Sequence, residues 1–108
     1  MQIKKIIPKR KYTCGKNVHL EHVADIVLGD NEVVTFKQDN NKEYDIVRKE
    51  WGYYATPSIN KRLKRNGYKA AFMENKYGDN FIVIVEVNKI RLWENYNKEE
   101  EQTFIKWI

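Results

Sequence analysis

Cysteine is almost missing from this chain. A single one, Cys14, in 108 residues cannot form an internal disulfide, which argues against a secreted scaffold held by cross-links. The five glycines, at 15, 29, 52, 67 and 78, are scattered singly, so there is no glycine-rich loop to cradle a phosphate. The longest apolar run, "FIVIV" at 81–85, falls far short of the roughly 20 residues a membrane helix needs. The "II" at 6–7 gives way at once to Pro8 and more basic residues, leaving no h-region for a signal peptide. A cytoplasmic protein with no membrane span is the expectation.

The chemistry-bearing patterns are equally thin. No Ser-His-Asp order and no pair of carboxylates in a shared apolar setting is visible, so no catalytic residue is assigned. Cys14, His19, His22 and Asp25 are the residue types that bind zinc. However, on a strand at 18–28, His19 and His22 lie three apart and point to opposite faces. No metal site is therefore expected, and the two histidines read as surface or edge residues. The cations of "KRKYT" would favour the Cys14 thiolate, yet His19 is the only nearby base, so a free cysteine in an arm is the simpler reading. No cofactor is implied. Glu86 is the one acid in a strongly apolar strand. It faces either a pocket or a solvated surface near Lys69 or Lys89, and the alternation of the strand favours the surface.

What is present points to a folded chain. Hydrophobic residues make up 42% and aromatics 13%, including three Trp and seven Tyr, which excludes disorder even with 32% charged residues. The length suits one domain with a core. The net charge of +5 is unevenly placed: residues 1–20 hold six Lys or Arg and no acid, whereas the other 88 hold 14 basic and 15 acidic side chains. Basicity is thus an N-terminal property, and 1–16 reads as a basic arm, with at most a short strand at Ile3–Ile7 that Pro8 ends.

The remainder, 17–108, reads as a single α+β domain. It is expected to form a mostly antiparallel sheet of about five strands, with one short inserted helix and a C-terminal helix. "VHLEHVADIVL" (18–28) and "EVVTFKQ" (32–38) flank a turn at Gly29–Asn31, and a polar break at 39–42 precedes a strand in "EYDIVRKEWGYY" (43–54), which makes a three-stranded meander. Thr56 before Pro57 is a helix-start signal and Gly67 a stop, giving about three turns with Ile59 and Leu63 on one face. "YKAAFMEN" and "NFIVIVEV" form a hairpin around Gly78, the second strand reading as central or covered on both faces. The end, with Leu92, Tyr96, Phe104, Trp107 and Ile108, fits helical spacing with Glu99–Glu101 in an early turn, although "TFIKWI" also alternates like a strand.

The candidate binding site is Trp51, Tyr53, Tyr54, Thr56, Ser58, Asn60 and Arg62. A helix N-terminus after Thr56 would attract an anion, the aromatic rings could stack a sugar or base, and Arg62 could reach a bound charge. Against this stands a structural reading in which Trp51 and one tyrosine pack the core, Thr56 caps the helix and the Lys/Arg run is solvated. The basic face Lys61, Arg62, Lys64 and Arg65 together with the arm supports an alternative, nucleic-acid binding.

From Trp51 through Asn60, with Arg62–Leu63 and Val85–Glu86, the chain resembles a small family of uncharacterised bacterial proteins. That family carries W-G-(F/Y)-Y-A-T-P-S-(I/L)-N, then an RL pair, a hairpin ending in VE and a closing aromatic helix with a WL-like end. The likeness covers roughly residues 20–108, and its closing pair is Trp107–Ile108, where the family pattern has a further acidic residue, so this end departs from it. The resemblance implies an association with cell-surface polysaccharide or natural-product genes and supplies no catalytic residue. The expectation is a small soluble, non-enzymatic accessory or ligand-binding protein in a surface-glycan pathway, its partner a protein or a small anionic or sugar-like ligand. An enzyme acting at Trp51–Ser58 would lack a nameable base or nucleophile.

Overall fold

The long basic stretch at the start of the chain is a strand. In a computed structural model, which describes residues 1–38 and 41–108, β1 (Gln2–Cys14) pairs antiparallel with β2 (Val18–Val27). The expected arm is therefore half of a two-stranded ribbon. Its register runs from Gln2↔Val27 to Lys5↔Ala24, shifts, and resumes at Arg10↔His22. The shift falls around Pro8, which has no N–H to give to a ladder. Gly15, with φ 60°, turns the chain back toward β2. The ribbon tolerates so many lysines because its side chains stay in water, and one of them, Lys9, meets Glu21 at 3.5 Å.

Because β2 pairs with β1, the meander expected from residue 18 onward does not form. Instead β3 (Val33–Lys37), β4 (Glu43–Lys49) and β5 (Gly52–Ala55) make a separate antiparallel sheet in the order β3-β4-β5. Gly29–Asn31 leads from one sheet into the next. Asn31, at φ 66°, donates its N–H to the Arg48 carbonyl at 2.8 Å, and the Glu50 N–H donates to Asp30 at 3.0 Å. The polar break expected at 39–42 falls at residues 39 and 40 outside the described residues. The strand expected over 43–54 is a hairpin, broken at Glu50–Trp51 and resumed at Gly52, whose φ of +147° suits glycine.

The chain divides into two compact units, Met1–Thr56 and Pro57–Ile108. In the second unit α1 is only Arg62–Arg65, not three turns. The cause lies at Thr56, whose N–H and hydroxyl both go to Asp45, so that it extends the β4–β5 ladder and cannot cap a helix. The turn begins at Ser58 instead. Its carbonyl accepts the Leu63 N–H at 3.0 Å, and its hydroxyl accepts the Arg62 N–H at 3.3 Å. Gly67, at φ 79°, ends the segment as its position implied.

β6 (Tyr68–Glu74) and β7 (Asn80–Glu86) form the expected hairpin, with the Asn75 side chain accepting the N–H groups of Tyr77 and Asp79 in its turn. A 3-10 turn at Val87–Lys89 leads into α2 (Ile90–Glu99), and β8 (Thr103–Trp107) then pairs with the far edge of β6. The sheet order is β7-β6-β8, so the central strand is β6 and not the more apolar β7, on which Ile82 stays 62% exposed. The strand reading of "TFIKWI" is the correct one, and Glu99–Glu101 close α2 instead of opening a helix. Ala70, Ala71 and Met73 of β6 are buried with Leu63 of α1. Trp93 of α2 packs on Phe104 and Trp107 of β8 at centroid distances of 5.8 and 5.3 Å. The fold is small and sheet-rich, with eight mostly antiparallel strands in three sheets among the described residues, not one sheet of about five.

Candidate functional site

The structure divides the expected site between the two units: Trp51, Tyr53, Tyr54 and Thr56 belong to the first, Ser58, Asn60 and Arg62 to the second. In the first unit the β4–β5 hairpin displays its aromatic rings. Trp51 is 71% exposed, Tyr53 63% and Tyr54 45%. Trp51 and Tyr54 stack with centroids 6.1 Å apart and planes inclined by 16°. Neighbouring side chains on a strand point to opposite faces, so Tyr53 turns the other way. There it lies under the guanidinium of Arg48, its cross-strand partner, at 5.3 Å from the ring centroid.

The turn that presents these rings is tied down by bonds between side chains and main-chain atoms. Arg48 donates to the Gly52 carbonyl at 3.3 Å, and Glu50 is anchored on Asp30. The alternative reading, in which Trp51 and one tyrosine pack the core, does not hold, since all three rings are exposed. Thr56 is not a helix cap. It is bonded to the buried Asp45, with Oγ1 to Oδ2 at 3.0 Å.

In the second unit Ser58 and Asn60 are exposed and Arg62 is half-buried. With four residues, α1 has too little aligned backbone to draw an anion to its N-terminus, and its N-cap position, Lys61, makes no side-chain cap. Lys61, Lys64 and Arg65 are exposed, as the basic-face reading required, whereas Arg62 is only partly so. Asn60 and Lys64 border a cavity of about 600 Å³ lined by residues of the same unit.

The remaining candidates resolve individually. His22 pairs with Asp25 at 2.8 Å, and His19 meets the Thr13 hydroxyl at 2.9 Å. No three His, Cys, Asp or Glu side chains converge among the described residues. Cys14 is an exposed free thiol. Glu86 is buried, against the solvated placement expected, yet it keeps the partner anticipated for it, Lys89 Nζ at 3.0 Å. The Tyr44 hydroxyl is pushed above its ordinary value by burial. No helix among the described residues is long and apolar enough to cross a membrane.

Sequence reasoning missed Arg48 and Asp45, and named Lys69 only as a neighbour of Glu86. The first two follow from the hairpin at Glu50–Trp51: once Gly52 is read as its break, Arg48 falls opposite Tyr53 and Asp45 next to Thr56. Lys69, whose Nζ sits 4.1 Å from the Trp107 centroid, has no local signal, because β8 comes from the far end of the unit. Comparison with protein-family models, with curated proteins and with solved structures finds no match to this chain.

Proposed function

We propose that this protein is a non-enzymatic accessory protein that binds a sugar-like ligand on the exposed aromatic surface of the β4–β5 hairpin, in a bacterial surface-glycan pathway. The observation that carries the reading is the Trp51–Tyr54 stack, a paired aromatic surface left in water by a turn that the Arg48 and Asp30 side chains tie down through main-chain atoms. An aromatic face is electron-rich and apolar, and the C–H face of a sugar ring is its complement. Tyr53 with Arg48 above it offers a second aromatic face and a cation for an acidic sugar. The family resemblance at Trp51–Asn60 supports the pathway, not a reaction. Binding without chemistry is favoured because none of these side chains is a base or nucleophile positioned against a partner. The test is an array of bacterial surface glycans probed with the wild-type chain and with Trp51→Ala. Retention of hexose-containing glycans by the wild type, and its loss in the variant, is the expected result. Equal retention by the two would refute the reading.

The exposed Lys61, Lys64 and Arg65 favour nucleic acid as the second reading. It requires affinity that falls steeply with salt and a shallower slope once these cations are replaced.

A further inference from the structure

We propose that the cavity in the second unit is a binding site for a small carboxylate that carries an apolar body. Its volume of about 600 Å³ lies in the range of small-molecule pockets. Ile59, Tyr68, Val87 and Ile108 supply apolar walls. The charge comes from Lys64 of α1 and Lys69 of β6, and no acidic side chain is among the described lining residues.

What sets these two lysines apart is that both line the cavity. Lys9, Lys37, Lys76 and Lys89 each sit beside a carboxylate, on Glu21, Glu43, Glu101 and Glu86 respectively. Lys64 and Lys69 have no carboxylate partner among the described residues. The Lys69 ammonium rests against the Trp107 ring at 4.1 Å from its centroid, which holds the cation in place and leaves N–H donors for an anion. Asn60 adds a side-chain amide that can donate or accept. Two lysines that form no ion pair among the described residues, beside apolar walls, select a ligand with both features. Inorganic phosphate would leave the walls uncovered, and an apolar amine would meet like charge.

The experiment titrates the isotope-labelled full chain with n-octanoate, kept below micelle formation, with n-octylamine and inorganic phosphate as probes lacking one feature each. Octanoate is expected to shift the amides of residues 59–69 and 87–88 to saturation, while the other two probes leave them unmoved. Lys64→Gln alters an exposed residue, so the fold should persist, and it should weaken octanoate by about ten-fold or more through loss of a charged hydrogen bond. Val87→Trp, which fills the cavity, should abolish saturation with the spectrum otherwise native. Octylamine binding as tightly as octanoate, no saturable octanoate shift in this region, or unchanged affinity in Lys64→Gln would each overturn the proposal.

Discussion

Thr56 meets Asp45 twice, its N–H donating to the Asp45 carbonyl at 3.1 Å and its hydroxyl to the Asp45 carboxylate at 3.0 Å. The residue that looks like a helix cap is thus the end of a sheet. Thr56→Ala removes a hydroxyl donor from a buried carboxylate and should cost about 1–3 kcal/mol in chemical denaturation. Thr56→Ser, which keeps the hydroxyl, should cost less. Asp45→Ala combined with Thr56→Ala should be less destabilising than the two single changes added together, since the two residues share one interaction. Strict additivity would show that the pair is not coupled.

Leu63 and Ile59 were expected on one helix face, but Leu63 is 1% exposed and Ile59 48%. Leu63→Ala should therefore lose about 2–5 kcal/mol, as for other large-to-small core changes, and Ile59→Ala under about 1 kcal/mol. Comparable losses at both positions would restore the three-turn helix.

Gly52 holds φ +147°, and a Cβ added there would meet nothing within 4 Å. Gly52→Ala should accordingly cost about 1–3 kcal/mol through the backbone alone, and the same substitution should disturb the Trp51–Tyr54 pair. A neutral Gly52→Ala in thermal denaturation would contradict this account of the turn.

The Glu32 carboxyl is held below its ordinary value of 4.5, first by the Gly29 N–H at 2.6 Å and then by the Met1 amino group. A lowered folded value means that the stabilisation is present above pH 4.5 and is lost as pH falls through the lowered value. Glu32→Gln should lose less melting temperature than the wild type on acidification below that point, with parallel curves above it. Curves parallel over the whole range would refute the linkage.

Local signals made the second unit easier to read than the first. Asn75 through Asp79 carries its own turn chemistry, so β6 and β7 were legible. Gly67 also marked its stop correctly. The first unit misled because its pairings are decided at a distance. Nothing near Lys4 or Arg10 says that β2 will pair with them, and a lysine-rich strand with both faces in water has the composition of a loose arm. The candidate site was legible as a cluster of aromatics but not as a displayed surface. Burial of Trp51 or Tyr54 depends on neighbours the sequence does not name, and the break at Glu50–Trp51 carries no Asn-Gly or Asp-Gly pair.

The most direct test of the sugar-binding account follows the three tryptophan indole N–H resonances while the chain is titrated with a hexose-containing oligosaccharide retained on the array. The account predicts saturable shifts of the Trp51 indole and of the amides at 52–55, with Trp93 and Trp107, packed together in the second unit, unmoved. Shifts at Trp93 or Trp107 with Trp51 unchanged, or no shift in any of the three, would contradict it.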